Sequence, residues 1–255
     1  MPADNIGALF ELCWHVSPDP QIITGALLND DPKMLRQFIG FLSVMDQPAA
    51  MSAVAPHLVR SGDPGSDRSL MLSVLDRLVG VNDAVAASAL WRMLIAQQWI
   101  NADQTVPNNA NFRRPPLPVS FDWSLPEYVG LHSWPGASGL ESEFTGSEPE
   151  ACVLAEQVVT LTPGNYSMSY SFRTSEIPPE TGIRWQVLDA KSSTVLAESP
   201  DLSSEELKYS GFAFTVRPGA SLSRVRLIYQ RTLGTPRIAG TLGILSTRIQ
   251  ALPTS

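Results

Sequence analysis

The chain has little of what most specific chemistries require. Cysteine occurs twice in 255 residues, at Cys13 and Cys152, and histidine three times, at His15, His57 and His132. Two cysteines make no disulfide framework, and both read as small buried hydrophobes, Cys13 on an apolar helix face and Cys152 at the opening of a strand. No two histidines have metal-ligand spacing to each other, and there is no Gly-x-Ser-x-Gly, no phosphate-binding glycine loop and no His-Glu-x-x-His. The acidic pairs Glu141 with Glu143 and Glu148 with Glu150 fall in a segment read as loop, not across a cleft as glycosidase carboxylates lie. No catalytic residue is assigned, no cofactor is expected, and the chain is read as a non-enzyme.

Positive charge is scarce too: 18 Lys and Arg stand against 25 Asp and Glu, a net charge of -7. That balance excludes the basic footprint of a nucleic-acid binder and a polybasic membrane anchor. No apolar run approaches the roughly 18 residues of a membrane span. Residues 1–5 have no basic stretch leading into an apolar one. The chain is therefore expected to be soluble, in the cytoplasm as it stands, or in the periplasm or cell envelope if a signal peptide has been removed.

What is present is two residue grammars that meet between Val106 and Trp123. Hydrophobic residues, 44% of the chain, suffice for two modest cores. Before the seam they recur at helical spacing, as in Ile6, Leu9, Phe10, Cys13 and Trp14, a helix that Asp4 can cap and that stops before Pro18. Asp19-Pro20, Asp31-Pro32 and Gln47-Pro48 read as helix starts, since proline is tolerated in a first turn. A shift of 36 residues lays Met34, Leu35, Phe38, Ile39 and Leu42 over Leu70, Met71, Val74, Leu75 and Leu78. It also lays Ala50, Ala53, Val54, Leu58 and Val59 over Ala86, Ala89, Leu90, Leu94 and Ile95, with the turns Met45-Asp46-Gln47 and Val81-Asn82-Asp83 in register. Stacked helical hairpins follow, and residues 4–100 resemble a tetratricopeptide-type repeat array. The resemblance implies a groove that docks a protein partner, or a spacer.

After the seam, hydrophobic residues alternate by two. Tyr166, Met168, Tyr170 and Phe172 share one face of a strand. The pattern returns in Ile183, Trp185 and Val187, in Phe212, Phe214 and Val216, in Val225, Leu227 and Tyr229, and in Leu245, Thr247 and Ile249. Turns such as Thr162-Pro163-Gly164-Asn165 separate strands of antiparallel sandwich length. The expected architecture is multidomain α plus β: an α-helical repeat domain over 1–106, a Pro-rich ordered linker over 107–120 and a β-sandwich over 121–255. Pro107, Pro115, Pro116 and Pro118 stiffen the linker. Phe112, Phe121 and Trp123 anchor it, with Trp123 expected between the domains, so that it straps the last helix to the sandwich.

The hairpin from Leu154 to Arg173, with Gln157 ahead of a Val/Thr strand, a Pro163-Gly164 turn and a Tyr-rich return, resembles that of galactose-binding-like jelly rolls, including carbohydrate-binding modules. Asn111-Phe112 resembles the opening of those modules, and Ala239 to Leu252 their last strand. The resemblance implies recognition of a glycan or another surface polymer. Such modules often hold a structural calcium with an Asp pair in the last strand, but Ser246 and Thr247 stand here, and Arg113 replaces the acidic residue after the opening Phe. No metal is expected.

Sugar recognition needs an aromatic face for the pyranose ring and planar polar groups for its hydroxyls. Arg173, Arg184, Gln186, Arg226 and Gln230 lie on strand faces opposite the expected core, and Trp134 and His132 in the loop-like segment 130–139. Their plainer reading is a solvated sheet face with Trp134 covering a core edge; Trp185 reads as core. The alternative function is structural: an assembly protein whose sandwich and solenoid dock protein partners or copies of itself. A hydrolase ranks third. The sequence leaves the oligomeric state open.

Overall fold

A computed structural model of the chain describes residues 4–219 and 222–253, with the side chains of residues 6–219 and 222–253. The capping role expected of the Asp4 side chain therefore lies outside the described residues. Two compact units divide at Asn101 and Ala102.

The first unit is helical. Its helices are α1 (Asp4–Val16), α2 (Pro20–Ile23), which runs into a π-turn at Thr24–Leu28, α3 (Pro32–Val44), α4 (Pro48–Ser61), α5 (Pro64–Gly80) and α6 (Ala84–Ala96). Aspartates begin four of them. Asp19, Asp31, Asp63 and Asp83 each accept a hydrogen bond from a backbone N–H of the first turn, while Gln47 caps nothing with its side chain. Proline occupies the first turn of α2 to α5, where its missing N–H costs nothing. Helices α3, α5 and α6 end in one kind of turn, through Asp46, Asn82 and Gln98, all in the left-handed region.

The 36-residue correspondence extends to burial. Leu35, Phe38, Ile39 and Leu42 on α3 and Met71, Val74, Leu75 and Leu78 on α5 are all buried. It weakens in the second helices. Ala50 on α4 is buried but its counterpart Ala86 on α6 is half-buried, Ala53 is half-buried but its counterpart Ala89 is exposed, and the alanines that α6 buries are Ala84 and Ala87. Helix α4 packs against α3, α5 and α6. Arg36 on α3 reaches the fully buried Asp67 on α5 at 2.5 Å. Asp67 also accepts the backbone N–H of Asp63. Burial alone pushes the Asp67 carboxyl upward, but the Arg36 hydrogen bond and that backbone donor outweigh it and hold the group below its ordinary value.

The second unit is an antiparallel sandwich. Its strands are β1 (Leu131–Gly136), β2 (Gly139–Thr145), β3 (Ala151–Thr160), β4 (Gly164–Ser175), β5 (Ile183–Asp189), β6 (Val195–Glu198), β7 (Lys208–Val216), β8 (Leu222–Gln230) and β9 (Ala239–Ala251). They form a five-stranded sheet in the order β1-β2-β9-β4-β7 and a four-stranded sheet in the order β3-β8-β5-β6. Helical first unit and sandwiched second unit make the chain α plus β. Between the sheets lies a core of alternate residues, among them Met168, Tyr170, Phe172, Trp185, Leu227 and Tyr229.

Trp123 belongs to this core, which corrects its expected place between domains. It is 1% exposed, stacks on Phe112 at 4.6 Å, and donates from Nε1 to the Asn109 carbonyl. The segment before it is stitched to the sandwich. The N–H groups of Thr247 and Ile249 donate to the carbonyls of Ala110 and Val106, and that of Val158 to Ser120. Gln157, 1% exposed, accepts the Asn108 N–H at 2.8 Å and donates to the Asn108 carbonyl at 3.0 Å. Buried Asp122 receives Arg114 and the Leu117 N–H. Four prolines deny the segment helix, and these side chains supply the partners its backbone would otherwise lack.

Two further expectations change. The segment 130–139 is not a loop: it contains β1 and the turn to β2, and Glu141 and Glu143 lie on β2. Pro135 and Gly136 hide the alternation there, and β1 tolerates a proline because it is an edge strand. Leu245 does not point into the core. Ser171 pairs with Ser246 and Phe172 with Ile244, so Leu245 is the extra residue of a β-bulge. The inward positions change phase across it, from Leu242 and Ile244 to Thr247 and Ile249.

Candidate functional site

Register fixes which residues share the outer face of the five-stranded sheet, since side chains alternate along each strand. Trp134 on β1 lies opposite Glu141 on β2, Glu141 opposite Gly243 on β9, and Gly243 opposite Arg173 on β4. One row therefore carries an indole, a carboxylate, bare backbone and a guanidinium across about 14 Å, three strand spacings. The neighbouring row is His132, Glu143, Thr241 and Ser175. The His132 and Trp134 rings stack at 5.0 Å with 23° between their planes.

The first row lines a cleft of about 470 Å³. Its floor is low because of glycine. A Cβ on Gly243 would sit 3.6 Å from Arg173 Cγ and 3.7 Å from its Nε, so the arginine lies across that strand. A Cβ on Gly136 would fall 2.9 Å from Glu141 Oε1, so this carboxylate rests against β1 near Trp134. Leu245 joins the lining through the bulge. Beyond the row, the outward positions of β4 are Ser167, Ser169 and Ser171, and β7 contributes Tyr209, opposite Ser171 and 77% exposed.

Two acidic residues close one end. Glu176 follows β4 in the left-handed region, with φ 60°. Glu205 sits in the connection before β7, which is tied to β4: the Thr174 N–H donates to Ser204 O at 2.6 Å, and the Ser204 N–H to Thr174 Oγ1 at 2.9 Å. Both line the cleft. Among the described residues, none forms a side-chain hydrogen bond or ion pair with Glu141, Glu176, Glu205 or Arg173.

Of the seven candidate residues read from the sequence, Trp134, His132 and Arg173 come together on this face. The other four lie on the outer face of the four-stranded sheet. There Glu156, Arg226, Gln186 and Glu198 form a row, and their side chains engage one another. Arg226 donates to Gln186 at 2.7 Å, Gln186 donates to Glu198, and Arg184 reaches Glu198 at 3.2 Å and Gln230 at 2.8 Å. Sequence reasoning missed Gly243, Glu176, Glu205 and Tyr209 and gave Glu141 only a catalytic reading. The alternation Leu140-Glu141-Ser142-Glu143-Phe144 and a glycine inside a strand were signals for two of them. Glu205 had none.

Among the described residues no three His, Cys, Asp or Glu side chains converge as metal ligands would, and no helix is long and apolar enough to cross a membrane. Under the sheets, burial foremost and the Glu148 charge next push the Cys152 thiol up to about 11 and the Tyr229 hydroxyl up to about 12.

No family model matches the chain, and no curated protein does. Solved structures do. A module described as CBM4 is 14% identical over 57% of this chain and 99% of its own, with a TM-score of 0.45. TmCBM61, solved with β-1,4-galactotriose, is 12% identical over 59% and 100%, with a TM-score of 0.40. The N-terminal cellulose-binding domain of Cellulomonas fimi β-1,4-glucanase C is 15% identical over 58% and 97%, with a TM-score of 0.38.

Proposed function

We propose that the sandwich binds a glycan or a related surface polymer along the outer face of its five-stranded sheet, and that the chain acts by binding. The observation that carries this reading is the stacked His132 and Trp134 pair beside an open cleft whose floor is glycine and serine and whose charged groups have no side-chain partner among the described residues. An aromatic face packs against a pyranose ring, while Arg173 and Glu141, in the same row, suit hydroxyls. Tyr209 on the far edge strand extends the aromatic surface. Arg184, Gln186, Arg226 and Gln230 have a structural part in this reading, because each already has a partner.

Affinity electrophoresis in soluble polysaccharides, followed by calorimetry on those that retard the protein, tests it. Trp134→Ala is expected to weaken binding about tenfold or more, worth about 1.4 kcal/mol, with Arg226→Ala behaving as wild type. Absence of binding to any polysaccharide, or full affinity in Trp134→Ala, refutes it.

The tetratricopeptide-like reading of the helical unit rests on the 36-residue correspondence and supports a protein-docking or spacing role. A second reading, assembly, is favoured by the exposed Leu12, Val16 and Val44, at 62%, 77% and 86%. Sedimentation velocity tests it: a monomer at all concentrations removes it.

A further inference from the structure

We infer that the cleft selects a polymer carrying free protonated amines, an amino sugar without its acyl groups, over neutral and uronic-acid polymers. This deepens the glycan reading above and rests on it. Three carboxylates, Glu141, Glu176 and Glu205, line the cleft against one guanidinium, Arg173. All four lack a side-chain partner among the described residues, whereas Glu150, Glu156 and Glu198 elsewhere in the sandwich each have an arginine.

Carboxylates that outnumber the one guanidinium give the cleft a negative potential, which concentrates cations. A point cation fits poorly, since no three ligands converge among the described residues. Amines repeated along a chain match charges spread over β2, the end of β4 and the loop before β7. Trp134 then has two uses, packing on the C–H face of a sugar and drawing an ammonium to its ring. A uronate in the same place would meet three like charges.

Calorimetry at pH 5.5 with hexamers of β-1,4-linked glucosamine, of β-1,4-linked N-acetylglucosamine and of α-1,4-linked galacturonate, in 50 and 200 mM salt, tests the inference. The free-amine hexamer is expected to bind about tenfold tighter than the acetylated one, more weakly at the higher salt. The uronate is expected not to bind. Glu176→Gln with Glu205→Gln is expected to bring the amine-to-acetyl ratio near one while leaving the thermal unfolding midpoint unchanged. Equal affinity for the two hexamers, or preference for the uronate, overturns the selectivity and leaves the glycan reading standing. Oligolysine binding as tightly as the glucosamine hexamer also overturns it, in favour of a cationic peptide. Failure to bind any hexamer or any neutral polysaccharide overturns both.

Discussion

Replacing Gln157 with leucine should loosen the segment before the sandwich far more than its single amide suggests. The Gln157 side chain serves both backbone groups of Asn108, accepting its N–H at 2.8 Å and donating to its carbonyl at 3.0 Å. Asn108 is 5% exposed and Gln157 1%, so water does not replace the lost partner without opening the structure. Two buried backbone groups left unsatisfied at about 1–3 kcal/mol each, less some gain from burying an apolar side chain of similar volume, give a net destabilisation of about 3 kcal/mol. The assay is hydrogen exchange read at the amides of Thr247 and Ile249, which donate to Ala110 and Val106 on the same segment. If the segment opens as a unit, about 3 kcal/mol lowers their protection roughly a hundredfold. Amides in β5 should change less. Gln157→Leu within about 0.5 kcal/mol of wild type in urea, the range of an ordinary surface substitution, with unchanged protection at both amides, would refute the reasoning. Ring packing of Phe112 on Trp123 would then be what holds the segment.

Trp123→Ala should cost about 3–5 kcal/mol by opening a cavity in the core, whereas Trp134→Ala should move the thermal midpoint little; similar losses in both by scanning fluorimetry would contradict the separation of core from cleft. The stability Asp67 lends is present above the ordinary carboxylate range, about pH 3.9, because its folded pKa is depressed, and is lost as pH falls through that range and below. Asp67→Asn should therefore lower the melting temperature at pH 7 by a margin that shrinks below about pH 4, and a pH-independent margin would exclude the ion pair as its source. Cys152 is buried but Cys13 is only half-buried, which corrects the reading of both as buried, so one thiol should react with Ellman's reagent at pH 8 and the second only on denaturation; two fast thiols in the folded protein would count against it. Limited proteolysis should spare 106–120, and ready cleavage there would show that the stitched segment is not ordered.

Burial patterns were legible wherever side chains had only one periodicity to obey. The four shared core positions of α3 and α5 emerge from a shift of 36 residues because a helix repeats its buried face, and Tyr166 to Phe172 emerge because β4 is regular over 12 residues. Legibility failed where local chemistry obscured the period. Pro135 and Gly136 made β1 read as a loop and so hid the strand that carries Trp134, and a bulge displaced Leu245 by half a period. Trp123 was assigned to the wrong neighbour because proximity to a seam in sequence says nothing about which core a side chain enters. Site residues gathered from one face by alternation could not be sorted between two sheets, since pairing order, β2 with β9 and β9 with β4, joins positions as distant in sequence as Glu141 and Gly243 or Gly243 and Arg173. Glu205 is positioned by a backbone exchange with Thr174, which leaves no trace in residue type.

The bulge at Leu245 makes β9 a strand with two reading frames. On its Ala239 side even-numbered positions address the core, and on its Ala251 side odd-numbered positions do. Deleting Leu245 would merge the frames into one regular alternation, with Ile244 still opposite Phe172 and Ser246 still opposite Ser171, and would take one side chain from the lining of the cleft. Loss of that one codon would thus straighten the strand and reshape the cleft while both halves keep their inward residues, so length at this position bears on the surface and not on the core.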